Sequence, residues 1–178
     1  METEVIEQVP KTALDIFRML PEGTLCEVIE NVLYMSPARK YTHQRLLFLL
    51  AKKISNHAEQ HQIGEVFISP VDVYFESLLS AVQPDLLFVS NENKGIINED
   101  GYFYGAPNLI VEVLSTDKKR DTVTKKRLYE KAGVKEYFTV DPLSRKIQGY
   151  SLISGLYEMI YEEKGIFKSP LLQLEFTF

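Results

Sequence analysis

The chain has no tryptophan, one cysteine and three histidines among 178 residues. Cys26 alone can form neither an internal disulfide nor a cysteine-based zinc site, which points to a reducing cytoplasm. No apolar run is longer than Leu46 to Ala51, against the roughly 20 residues that a membrane span needs. The opening METEVIEQVP is acidic and lacks the basic and apolar regions of a signal peptide. No segment repeats at a fixed period, so a solenoid is not expected. GxxxxGK[ST], GxGxxG after a strand, HExxH and GxSxG are all missing. P-loop nucleotide hydrolysis, dinucleotide redox chemistry and serine hydrolysis therefore lose their usual support.

What is present is ordinary in bulk and uneven in detail. Hydrophobic residues make up 45% and charged residues 25% of the chain, as in an average globular protein. A single α+β domain spanning residues 1–178 is expected. The net charge is −5, which argues against broad nucleic-acid affinity. Yet residues 118–135 hold eight bases against Asp121 and Glu130, and residues 36–61 hold five bases against Glu59. Two such segments form one positive surface if the fold joins them, or two solvated helix faces if it does not.

Periodicity and punctuation give the elements. A first helix over Thr12–Leu20 is capped by Thr12 and stopped by Pro21. Strands follow around Leu25–Glu30 and Val32–Met35, with Asn31 in the turn. Leu47, Leu50, Ile54 and Ala58 recur at helical spacing, predicting an amphipathic helix over 42–61 that Gly64 ends. Val66–Ser69, Val71–Glu76, Asp85–Val89, Leu109–Ser115 and Lys135–Val140 read as strands, and 91–105 as a loop. Asp121–Ala132 reads as a helix ended by Gly133. Residues 146–178 read as a β meander.

Three residues break the local pattern. Glu112 shares a strand face with Ile110 and Leu114 in an otherwise apolar segment, and a buried carboxylate there costs several kcal/mol (rough order) unless a cation or donor meets it. Asp85 starts a strand on the face of Leu87 and Val89. Two convergent carboxylates are the usual hard-oxygen shell for Mg²⁺. Lys125 falls on the face of Asp121, Leu128, Tyr129 and Ala132, the one apolar stripe of its helix. It either snorkels or meets the carboxylates and stabilises charge on a phosphate, with Asp121 one turn away to orient it. His43 lies on the side of Leu47 and Leu50, a capping or core group as readily as a catalytic one. His57 and His61 are expected at the surface. Glu27 and Asp72 either join an acidic cluster or face solvent.

Taken together, Pro84-Asp85, Glu112-Val-Leu-Ser115, Asp121-x3-Lys125-x3-Tyr129 and Gly133-Val-Lys-Glu-Tyr-Phe-Thr-Val-Asp-Pro142 resemble the signature of a bacterial family, the putative restriction endonucleases of the PD-(D/E)XK nuclease superfamily. Glu27-Val-Ile-Glu30, Met35-Ser-Pro37 and His43 resemble its upstream part, so the likeness covers about residues 12–150. It implies a restriction-endonuclease-like fold, with a mixed central sheet flanked by helices. It implies that Asp85 and Glu112 hold a divalent metal, Mg²⁺ or Mn²⁺. Position 114 is Leu where the superfamily pattern wants lysine, and Lys125 is the matching residue, displaced to the next helix. Glu27, His43, Asp121 and Tyr129 become accessory residues by the same likeness.

The expectation is a Mg²⁺-dependent endonuclease acting on nucleic acid, DNA first, with Asp85, Glu112 and Lys125 catalytic. Lys118, Lys119, Arg120 and Lys126 would hold the phosphate backbone, and cutting both strands would favour a homodimer. The alternatives are a non-catalytic nucleic-acid- or protein-binding module on a nuclease fold, and a hydrolase of another phosphate ester.

Overall fold

Short-range signals place the first elements. Thr12 caps helix α1 (Ala13–Met19): its hydroxyl accepts from Asp15 N at 3.0 Å, and the Asp15 carboxylate accepts from Thr12 N at 2.9 Å. That reciprocal capping box satisfies backbone donors left free in the first turn. The computed structural model describes residues 9–115 and 118–178; the acidic opening stretch through residue 8, and Thr116 and Asp117, lie outside the described residues. Strands β1 (Cys26–Ile29) and β2 (Val32–Met35) form a hairpin in which Glu30 and Asn31 both take positive φ, the left-handed twist that a two-residue turn requires. Helix α2 (Tyr41–His61) follows, then β3 (Gly64–Ile68), β4 (Val73–Phe75), β5 (Ser80–Val82), β6 (Leu86–Ser90), β7 (Phe103–Tyr104) and β8 (Leu109–Val113). A π-helical segment (Arg120–Lys125) runs into α3 (Lys126–Ala132). Strands β9 (Glu136–Val140), β10 (Lys146–Ile153), β11 (Leu156–Lys164), β12 (Ile166–Ser169) and β13 (Leu174–Thr177) complete the chain.

The strands form a mixed six-stranded sheet in the order β11-β10-β9-β8-β6-β3 and a five-stranded sheet in the order β2-β1-β5-β4-β7. β12 and β13 pair separately. In the larger sheet only β8 and β9 run parallel, and the π segment with α3 is the crossover that such a pair needs. All five residues of β8 are buried, as expected of a sheet centre covered on both faces. Leu109, Val111 and Val113 join Leu86 and Phe88 against Leu46, Leu50 and Ile54 of α2. On the other face Ile110, Leu87 and Val89 meet Leu128 and Tyr129 of α3 and the smaller sheet's Ile29, Val73 and Val82. Glu112 belongs by alternation to this second face, inside the layer between the two sheets.

The architecture is the α+β mixed sheet with a C-terminal meander that the sequence leads one to expect, and four local readings change. Helix α2 ends on Gln62 in the left-handed conformation, while Gly64 opens β3, where an added Cβ would lie 2.2 Å from Val89 O. The strand expected over 71–76 shrinks to β4, which reverses through a 3-10 turn (Glu76–Leu78) into the unanticipated β5. The loop at 91–105 contains a 3-10 helix (Asn91–Ile96) and β7. The helix expected over 121–132 is π-wound to Lys125 and α-helical only beyond it. Among the described residues no helix is long and apolar enough to cross a membrane.

Candidate active site

Sheet register brings the two carboxylates of the sequence pattern together. Leu86 pairs with Val111 and Leu87 with Ile110, so one step further Asp85 stands opposite Glu112. Asp85 Oδ2 accepts from Val113 N at 2.8 Å and from His43 Nε2 at 3.0 Å, so the β8 backbone and the first turn of α2 both anchor it. On the other side Lys125 Nζ lies 2.9 Å from Glu112 Oε1 and 2.7 Å from Glu27 Oε1. The Tyr129 hydroxyl donates to Glu112 Oε1 at 2.7 Å. Glu27 arrives from β1 of the smaller sheet, and its Oε1 also accepts from Gln83 N at 2.9 Å. Lys125 therefore bridges the two sheets. It does not snorkel, and it is completely buried.

The π winding has a local consequence. It carries Asp121 and Lys125 into the interior together with Leu128 and Tyr129 of α3. Such segments are rare and recur at functional sites. The carbonyl of Asp121 accepts the Tyr137 hydroxyl at 2.7 Å, which ties the widened turn to β9.

Charge in this layer is out of balance. Glu27, Asp85, Glu112 and Asp121 are all buried around a single buried lysine. Burial pushes the Glu112 carboxyl up, the negative charges of Asp85, Asp121 and Glu27 add to this, and Lys125 opposes without prevailing, so the group sits well above the ordinary range. Burial likewise raises Asp121 against the pull of Lys125. Asp85 goes the other way: burial acts to raise it, but the His43 hydrogen bond and charge, with Lys125 and Arg39, leave it lowered. Burial disfavours the Lys125 ammonium, yet the surrounding carboxylates, Glu112 first, raise its pKa further. The layer thus holds more carboxylates than its one buried lysine can pair.

Among the described residues two buried carboxylate oxygens, Glu112 Oε2 and Glu27 Oε2, lack a hydrogen-bond partner, as do Ser36 Oγ and His43 Nδ1. Orphaned carboxylate oxygens in a negatively charged layer suit a hard cation. Mg²⁺ commonly takes one or two carboxylates and keeps several waters. Among the described residues no group of three or more His, Cys, Asp or Glu side chains is placed to hold a metal ion. A cation held by the two carboxylates of Asp85 and Glu112 would take its remaining ligands from water. A cavity of about 310 Å³ reaches Asp85 and Glu27 from the surface, lined also by Ser36, Arg39, Gln44 and Gln83.

The other candidate residues divide. His43 is buried against Asp85. Asp72 stays at the edge, reaching Glu27 only through Gln83, whose Nε2 donates to Asp72 Oδ1 at 2.9 Å. Lys118 pairs with Asp141 at 2.5 Å, Lys126 lies 3.9 Å over the Tyr150 ring, and Arg120 stacks at 4.8 Å on Tyr34. Lys119 is exposed. Sequence reasoning did not single out Arg39, Gln83 or the Val113 amide. Arg39 had a weak signal, as a base just before a helix whose first turn carries His43; the other two act through backbone or side-chain amides that leave no pattern.

The comparisons with known proteins bear on this geometry. A family model described as putative restriction endonuclease matches residues 14–177. The chain belongs to that family. A crystal structure described as a putative nuclease from Anabaena variabilis ATCC 29413 is similar to the restriction-endonuclease-like chain with a TM-score of 0.73, covering 94% of this chain and 95% of that one at 22% identity. At that identity the likeness is one of fold. Among curated proteins none matches.

Proposed function

We propose that the protein is a divalent-metal-dependent phosphodiester hydrolase acting on nucleic acid, with Asp85 and Glu112 holding Mg²⁺ or Mn²⁺ and Lys125 serving the phosphate. The observation that carries this is Glu112 Oε2, buried without a partner on a carboxyl whose pKa is raised well above normal. Such a group has ligating capacity that nothing among the described residues uses. When bound, a divalent cation supplies Lewis acidity toward a phosphate oxygen and a lowered pKa for water.

The chain's own groups prepare the rest. Tyr129 and Lys125 hold Glu112 by Oε1 and leave Oε2 available. His43 and the Val113 amide hold Asp85 ionised and in one orientation. Lys125, fixed between Glu27 and Glu112, offers an ammonium that stabilises negative charge as it develops on the phosphate. Arg39, at the cavity wall, orients an entering anion. A second copy of the chain is needed if both strands of a duplex are cut together.

The test is incubation of the purified protein with circular duplex DNA, single-stranded DNA, RNA and mononucleotides, in Mg²⁺, Mn²⁺ or EDTA, beside Asp85→Ala. Metal-dependent chain cleavage lost in the variant supports the reading. Hydrolysis of mononucleotides alone moves the activity to another phosphate ester. Equal behaviour of wild type and Asp85→Ala overturns it.

A further inference from the structure

The basic residues of the two positive segments have different fates. Between residues 118 and 135 most of them are engaged: Lys118 with Asp141, Lys125 with Glu27 and Glu112, Arg127 and Lys131 with Glu30, Lys126 over Tyr150. None of the described ion pairs involves Lys40, Arg45, Lys52 or Lys53. Positions 41, 45, 48 and 52 follow one another along a single stripe of α2, opposite the buried Leu46, Leu47, Leu50 and Ile54. That outward stripe reads Tyr41, Arg45, Phe48, Lys52, and its two rings are 79% and 69% exposed. The first turn of the same helix carries His43 to Asp85 and places Gln44 in the cavity wall.

We infer that the outer face of α2 is a track for single-stranded nucleic acid, which enters the cavity beside Arg39 and Gln44. This deepens the nuclease reading and rests on it for the direction of the strand. Alternating bases and aromatic rings match a polymer of alternating phosphates and planar bases. Tyr41 and Phe48 lie two helical turns apart, roughly 10 Å along the axis, so each can take the face of a different base. Base faces are free in a single strand and covered in a duplex. Asp85 and Glu112 are also recessed, 1% and 0% exposed. A flexible strand can bend one phosphate inward, whereas a stiff duplex resists such bending. The charge on the first turns of this face complements a polyanion, since Arg45 and Lys52 lie on the stripe, Lys40 just precedes it and the one acid of α2, Glu59, comes only near the far end.

The experiment is fluorescence anisotropy in EDTA, so that binding is read without cleavage. Its probes are a labelled oligothymidylate and a duplex of equal length. Wild type should bind the single strand more tightly than the duplex. Tyr41→Ala and Phe48→Ala should each weaken it on the order of tenfold. The double variant Arg45→Gln/Lys52→Gln should make the slope of log K against log salt shallower by about 1.4. Both rings are exposed, so unchanged circular dichroism melting separates lost contacts from lost folding. Unchanged affinity in the aromatic variants, or a preference for duplex, overturns the track; retained metal-dependent cleavage would then leave the nuclease reading intact. If Phe48→Ala instead dissociates a dimer seen by sedimentation while binding persists, the stripe is a protein interface and the inference fails. Absence of any binding by wild type also overturns the track, and the cleavage assay in Mg²⁺ or Mn²⁺ then decides the nuclease reading separately.

Discussion

Replacing Glu112 by glutamine separates a metal ligand from a structural ion pair by the sign of the stability change. The amide keeps the shape of the side chain and an oxygen for the Tyr129 hydroxyl and Lys125 Nζ, now at 2.7 and 2.9 Å from Oε1. Lys125 keeps its 2.7 Å partner Glu27. What disappears is one negative charge among Asp85, Asp121 and Glu27, on a group with one orphaned oxygen. The amide nitrogen inherits the position without a partner, but the charge that burial and the neighbouring carboxylates disfavour is gone, so cation-free Glu112→Gln should be at least as stable as wild type in urea at neutral pH. Were the glutamate present to complete a buried ion pair, its loss should cost about 3–5 kcal/mol. The pH dependence adds a second check. The native carboxyl, with its raised pKa, binds its proton more tightly than the unfolded chain does. Its stabilising contribution is full below the ordinary glutamate range and is lost as pH rises through the raised native value. The advantage of the glutamine variant should therefore vanish in acid and grow with pH. Urea unfolding in EDTA, followed by circular dichroism at several pH values, reads both effects; a large destabilisation that is constant with pH would refute the reasoning.

Three further outcomes follow from the same geometry. Lys125→Met leaves Glu27 and Glu112 facing each other without their cation and should cost about 3–5 kcal/mol in urea unfolding, part of which the added Glu112→Gln should restore. His43→Ala removes a hydrogen bond and a charge that hold the Asp85 pKa down. A lowered native pKa stabilises above the ordinary aspartate range and is lost in acid, so the variant's acid-unfolding midpoint should move to higher pH. Gly64→Ala forces a Cβ to within 2.2 Å of the Val89 carbonyl and should cost more than about 2 kcal/mol in urea, while folded material still binds Mn²⁺ in calorimetry.

The parts of the fold set by neighbours in sequence were legible. Thr12 capping α1, the Asn31 turn and the long stripe of α2 each depend on a few adjacent residues. Glu112 was conspicuous because a central strand tolerates few charges, and Lys125 because its helix has only one apolar face. The pairing of β1 with β5, and the arrival of Glu27 at Lys125, depend on two sheets packing face to face. No local pattern encodes that. The π winding escaped notice because α and π turns share almost the same face over one turn. The partners of the basic segment at 118–135 were not legible for a related reason: Asp141, Glu30 and Tyr150 are brought to it only by tertiary packing.

Calorimetric titration of the purified protein with Mg²⁺ and Mn²⁺, beside Asp85→Ala and Glu112→Gln, tests the central claim most directly. Binding should be seen in wild type, weaken as pH falls because protons compete for the carboxylates, and vanish in both variants. Wild type that takes up no cation, or variants that bind as wild type does, would contradict the assignment of Asp85 and Glu112 as the metal ligands.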